Sequence, residues 1–207
     1  MKTLSFVFLF IPFFAVSQEP KQEFDYNEMQ TLFDSLPREN GKIMWRETVK
    51  LDSIYLKTVL KENAESVFSR LLTTSNVEYF DNKEVGKISG VATFSLRSVL
   101  QKALFFSASE EKRDVDFNID IQFKNGEYSY VIYDVLSMRT RTYEHRNMSD
   151  DYKTEQITLE KAFKLCGRTV SSKTERKLFY QTIKKVTDII ELIKLNMARR
   201  PMSKDFR

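Results

Sequence analysis

The stretch Val115–Leu136 constrains this chain more than any other. Val115, Phe117, Ile119, Ile121 and Phe123 alternate without a break against Asp116, Asn118, Asp120, Gln122 and Lys124. A period of two places one row against a core and the other on the opposite face of a strand. Asn125-Gly126 follows, the dipeptide best able to supply the two positive-φ residues of a type I′ turn. A two-residue loop then sets the register. Lys124 opposes Glu127, Phe123 opposes Tyr128, Ile121 opposes Tyr130 and Ile119 opposes Ile132, so apolar meets apolar across the ladder. Continued unbroken, the same register sets Asp120 against Val131 and Asp116 against Val135. Val131, Tyr133 and Val135 then share the face away from the core, and Asp134 lies on the other.

The remaining pattern supplies partners for this hairpin. From Gly41 to Leu51, Ile43, Trp45, Val49 and Leu51 share one face, and Met44, Arg46, Thr48 and Lys50 the other. Glu47 falls in the apolar row, as the end of that row at a sheet margin or as a functional carboxylate. Asp52 or Ser53 is placed to cap a helix. Its stripe is Leu56, Val59, Leu60, Ala64, Val67, Phe68 and Leu71. Val77–Phe80 reads as a short strand, and Gly86–Leu96 as a longer one with Gly90 in its inward row. Near the C-terminus, Ser172-x-x-Glu175 has the form of a capping box. A helix follows with Phe179, Ile183, Val186, Ile190, Ile193 and Met197 on one stripe, closed by Arg199, Arg200 and Pro201. Strand, helix, several antiparallel strands, helix is an α+β order: one curved antiparallel sheet with two long helices packed on one face.

Three segments flank or interrupt this core. Residues 1–17 read as a secretory signal: Lys2, an apolar run Leu4–Phe14, and the cleavage site Ala15-Val16-Ser17. That run is short for a bilayer span of about 20 residues and carries Pro12. No cysteine stands at the cleavage point, so a lipid anchor is not expected. Residues 18–40 form a leader in which Tyr26, Met29, Leu32, Phe33 and Leu36 fall near helical spacing, so a short helix and a flexible leader are both open. Residues 137–171 read as a polar insertion between a core of 41–136 and the helix at 172–197, with Leu159, Ala162, Phe163 and Cys166 spaced for a short docking helix. A single cysteine forbids an internal disulfide, and Cys166 is expected as a small buried side chain.

Three motifs occur in order: Gly41-Lys42-Ile43-x-Trp45, Asp81-x-x-x-x-Gly86-Lys87-Ile88-x-Gly90, and Lys124-Asn125-Gly126-Glu127-Tyr128-Ser129-Tyr130. With the export signal and the final helix, they resemble an exported Bacteroidota family known only as domain of unknown function 4468. The resemblance covers about residues 41–134 and the C-terminal helix; the connection 97–114 and the insertion 137–171 depart from it. It implies a TBP-like fold and an envelope location, and no catalytic residue.

The chemistry-bearing residues are sparse. His145 is the only histidine and lies in a polar stretch, where a surface role is expected. No spacing of His, Cys and Asp suggests zinc, no nucleophile elbow or phosphate loop is present, and neither a metal nor a cofactor is expected. Asp116, Asp120 and Asp134 are not expected to converge. The net charge of +4 mixes basic residues with 29 acidic ones, which points away from nucleic acid. Interest therefore falls on the open sheet face, whose expected occupants are Met44, Arg46, Thr48, Val91, Val131, Tyr133 and Val135. Such a patch either meets a partner or lies under the leader or the insertion. The expected function is an exported, non-enzymatic binding or assembly module of the cell envelope, acting on a protein partner or on itself. The alternatives are an enzyme acting on an envelope polymer through carboxylates such as Glu47 or Asp134, and a self-associating structural protein.

Overall fold

Two long strands leave Asn125-Gly126 in opposite directions, β6 (Glu110–Lys124) and β7 (Glu127–Tyr143), and the rest of the sheet is assembled on their outer edges. The computed structural model describes residues 25–52, 54–72, 78–82, 86–99, 110–143, 151–167 and 172–200. In chain order the other elements are α1 (Tyr26–Ser35), β1 (Arg38–Glu39), β2 (Lys42–Ile43), β3 (Trp45–Lys50), α2 (Lys57–Leu72), β4 (Glu78–Asn82), β5 (Lys87–Val99), β8 (Asp151–Thr158), α3 (Leu159–Leu165) and α4 (Lys173–Met197). The main sheet runs β3-β7-β6-β5-β4, antiparallel throughout, and β8 also pairs with β7. Thus β3 lines the turn-proximal part of β7 and β8 its distal part.

The expected pairs Lys124–Glu127, Phe123–Tyr128, Ile121–Tyr130, Ile119–Ile132 and Asp120–Val131 are all present. Ile119, Ile121, Phe123, Tyr128, Tyr130 and Ile132 are buried with Ile88, Ala92 and Phe94 from β5. Against this row lie α2, through Leu60, Ala64, Val67, Phe68 and Leu71, and α4, through the predicted stripe from Phe179 to Met197. Each large aliphatic or aromatic side chain so buried is worth roughly 1.5–3 kcal/mol, enough to fix which face of each helix meets the sheet.

The turn of the long hairpin departs from the type I′ expected of it. Gly126 has φ +68° but Asn125 stays out of the positive-φ region, so the long hairpin does not use a type I′ turn; a negative value followed by a positive one is the type II sign pattern. The surroundings hold it that way: Leu51 N donates to Gly126 O (2.8 Å) and Gly126 N to Tyr55 O (2.8 Å). Asn125 Oδ1 accepts from Lys57 N at 2.7 Å, so the neighbouring hairpin turn caps α2 where Asp52 or Ser53 was expected; Ser53 lies outside the described residues. Leu56 accordingly precedes the helix and is exposed instead of joining its stripe. The type I′ signs occur at Asn40-Gly41 (φ +51° and +78°), which closes the two-residue loop between β1 and β2.

The leader contributes to the core. α1 buries Met29, and the Phe33 ring stacks on Phe163 of α3 with centroids 4.0 Å apart. Within the stretch read as an insertion, β8 extends the sheet, and Ile157, Leu159, Ala162, Phe163 and Cys166 are buried. The capping box at Ser172 does not form: Ser172 makes no side-chain cap bond. Glu175 instead receives Arg113 Nη2 on both carboxylate oxygens, each at 2.7 Å, in a buried pair. A buried guanidinium demands a partner more strongly than an orphan helix N–H does, and Glu175 meets that demand.

Candidate functional site

The face of the sheet opposite α2 and α4 is built from strand rows in register. Arg46, Val131, Asp120 and Ser89 form one row across β3, β7, β6 and β5; Tyr133, Asn118 and Val91 form the next. Toward the turn, Thr48, Ser129, Gln122 and Lys87 make another. Val91 is 45% exposed, Val131 and Tyr133 are half-buried, and Arg46 and Thr48 are exposed. Met44 sits between β2 and β3, half-buried, its N–H donated to Pro37 O.

Val135 is not on this face. Between Asn118–Tyr133 and Asp116–Leu136 the register shifts, so that Asp134 and Val135 together oppose Phe117. This is a β-bulge whose first residue, Asp134, has φ +50°. The extra residue reverses the alternation beyond it: Val135 turns into the core, 5% exposed, and the partner of Asp116 becomes Leu136. It also carries Asp134 to the open side, where Asn118 Nδ2 lies 3.4 Å from its carboxylate and Lys42 Nζ 3.8 Å. A strict period of two cannot register such an insertion; the available signal was Asp134 itself, a residue type that tolerates the left-handed region.

The open face is therefore more polar than expected. β6 interposes Asp116, Asn118 and Asp120 between the apolar residues of β7 and those of β5, across about 10 Å of sheet. Thr93 Oγ1 donates to Asp116 at 2.7 Å, and Lys87 Nζ pairs with Asp120 at 2.9 Å. Burial, with Asp120 adding to it, raises the Tyr133 phenol above its ordinary range, so this hydroxyl remains a donor at the centre of the platform. Among the described residues, α1 packs through Phe33 on Phe163 and Phe179, on the helical side, and β8 prolongs the sheet, while the β1–β2 hairpin reaches the edge of the open face, where Arg46 meets Glu39 at 3.1 Å.

Glu47 belongs to the other face. It lies on the edge strand β3 opposite Tyr130, accepts from the Tyr130 hydroxyl at 2.8 Å and meets Lys194 of α4 at 2.8 Å. These two donors, Lys194 first, hold its carboxyl below the usual range, while burial pushes the Tyr130 phenol upward. Glu47 thus ends the buried row at the sheet margin. Glu47 and Asp134, the carboxylates considered for catalysis, occupy opposite faces and are not brought together. Among the described residues no group of three His, Cys, Asp or Glu is placed to hold a metal, and none of the helices is long and apolar enough to cross a membrane. His145 lies outside the described residues. Cys166 is buried, with its thiol donating to Ala162 O at 3.4 Å.

A scan of family models and a search of curated proteins each return no match. Among solved structures, the chain is similar to a DUF4468 family protein from Bacteroides ovatus, with a TM-score of 0.55 and 14% identity over 82% of this chain and 93% of that one. A TBP-like protein from Parabacteroides distasonis aligns over 77% of this chain and 97% of its own, with a TM-score of 0.42 and 17% identity. The first of these gives the fold. The chain is thus built on the α+β fold of a DUF4468 family protein, the family that its three ordered motifs resemble.

Proposed function

We propose that this protein is an exported, non-enzymatic binding or assembly module of the bacterial cell envelope, and that its open sheet face receives a protein partner or a second copy of the chain. The observation that carries the reading is Val91. A valine 45% exposed in mid-sheet, beside the Tyr133–Asn118 row, is an apolar contact point that folding itself does not require. The arrangement around it suits an interface: half-buried aliphatic and aromatic side chains interleaved with carboxylates and a phenol donor, so that shape and hydrogen bonding are both specified. Export rests on the sequence of residues 1–17, with Lys2, the apolar run and Ala15-Val16-Ser17.

The test is Tyr133→Asp. A carboxylate at this position faces Asp120 and Asp134 and loses both the ring and the donor. Association, read by crosslinking and pull-down from the native envelope and by light scattering on the purified chain, should fall while circular dichroism is unchanged. A chain that stays monomeric, captures nothing and ignores the substitution would contradict the proposal.

A further inference from the structure

At the turn end of the sheet, a second surface presents apolar side chains without covering them. Ile54 and Leu56, in the connection between β3 and α2, are 51% and 54% exposed. They are not on a loose loop. Leu51 N donates to Gly126 O, Gly126 N to Tyr55 O and Lys57 N to Asn125 Oδ1, so the connection is laced to the hairpin turn. Tyr55 points inward, 6% exposed, and its hydroxyl donates to Ala198 O at 2.7 Å beyond the end of α4. With Tyr55 pinned inside, Ile54 and Leu56 on either side of it are held outward.

The charges around this pair are mainly positive. Lys50 ends β3 opposite Glu127, Lys124 reaches Glu127 at 2.9 Å with most of its side chain in solvent, and Lys57 begins α2. Arg199 and Arg200 are exposed next to Ala198, and Asn63 of α2 donates to Arg199 O at 2.9 Å. On the same described segments the anions are Asp52 and Glu127. Exposed aliphatic side chains on a hydrogen-bonded loop, with more Lys and Arg than Asp and Glu on the segments bonded to it, match the chemistry of an anionic phospholipid surface: the methyl groups enter the acyl boundary while the cations remain among the phosphates. We propose that the Ile54–Leu56 apex, with its basic rim, docks this protein on anionic membrane, leaving the open sheet face free for its partner.

The experiment places a reporter in the apex. Leu56→Trp in the full chain is mixed with vesicles of phosphatidylcholine containing roughly one-third phosphatidylglycerol, with acyl chains brominated near the headgroup. The native Trp45 is buried and serves as the baseline in the parent chain. The emission of Leu56→Trp should shift to the blue and be quenched, and the vesicle concentration needed should rise at least about tenfold when phosphatidylglycerol is omitted or when Arg199→Glu and Arg200→Glu are added. Ile54→Asp in the same background should abolish the quenching while circular dichroism is kept. No quenching on anionic vesicles would overturn the proposal, as would equal quenching on neutral ones. A blue shift without vesicles that grows with protein concentration would overturn it in favour of self-association through the apex.

Discussion

Asp134 decides which side chains reach the open face, and its backbone can be tested directly. At φ +50° an L-residue with a Cβ is strained by roughly 1–2 kcal/mol, less for Asp than for most because its short side chain tolerates this region. Asp134→Gly relieves that strain and loses only weak contacts: a 3.4 Å hydrogen bond from Asn118 and a solvent-exposed pair with Lys42, the latter worth about 0–1 kcal/mol. The extra freedom of glycine in the unfolded chain costs about 0.4–1 kcal/mol, so the net change should stay within about 1 kcal/mol. Asp134→Val loses the same contacts and puts a β-branched side chain at positive φ, which adds roughly 1–3 kcal/mol. The two variants should therefore differ by about 2 kcal/mol, or about 1 M in the urea midpoint at a slope near 2 kcal/mol per M. Deleting Asp134 should be tolerated better than Asp134→Val, because closing the ladder leaves Tyr133 outward and Val135 inward. Urea unfolding followed by circular dichroism reads all three. Glycine and valine variants of equal stability, or a glycine variant weakened by more than about 2 kcal/mol, would refute the assignment of a left-handed bulge here.

The other expectations concern the buried charge, the sheet margin and the thiol. Glu175→Ala removes the bidentate partner of Arg113, which is 2% exposed, and should cost about 3–5 kcal/mol in urea unfolding; the double change Arg113→Met with Glu175→Leu should recover most of it. Because the Glu47 carboxyl is lowered in the folded chain, it contributes stability that is present above its ordinary value of 4.5 and is lost as pH falls through the folded value. The stability gap between the parent and Glu47→Gln should therefore shrink below about pH 4.5, and a gap constant with pH would show that Lys194 and Tyr130 do not act on the charge. Burial pushes the Cys166 thiol up to about 12, so a thiol reagent at about pH 8 should fail on the native chain and react fully in denaturant.

Local pattern sufficed for the sheet face that meets the helices. The row from Val115 to Phe123, its Tyr128, Tyr130 and Ile132 partners, and the α4 stripe are all buried as the periodicity predicts. Strict alternation and a 3.6-residue repeat are encoded residue by residue, so they survive folding unchanged. Four features were settled only by the three-dimensional structure. The Asp134 bulge turned Val135 inward and Asp134 outward. The two Asn-Gly turns adopted different φ signs because Gly126 is held by Leu51 and Tyr55. Asn125 capped a helix 68 residues away in sequence. Glu175 took Arg113 in place of a capping role. Each depends on a partner distant in sequence or on a single backbone dihedral, and neither leaves a period to read. Thus the sequence alone determined the α+β core and the face it buries. Tertiary contacts decided what the other face displays, because there a one-residue insertion reverses every side chain that follows.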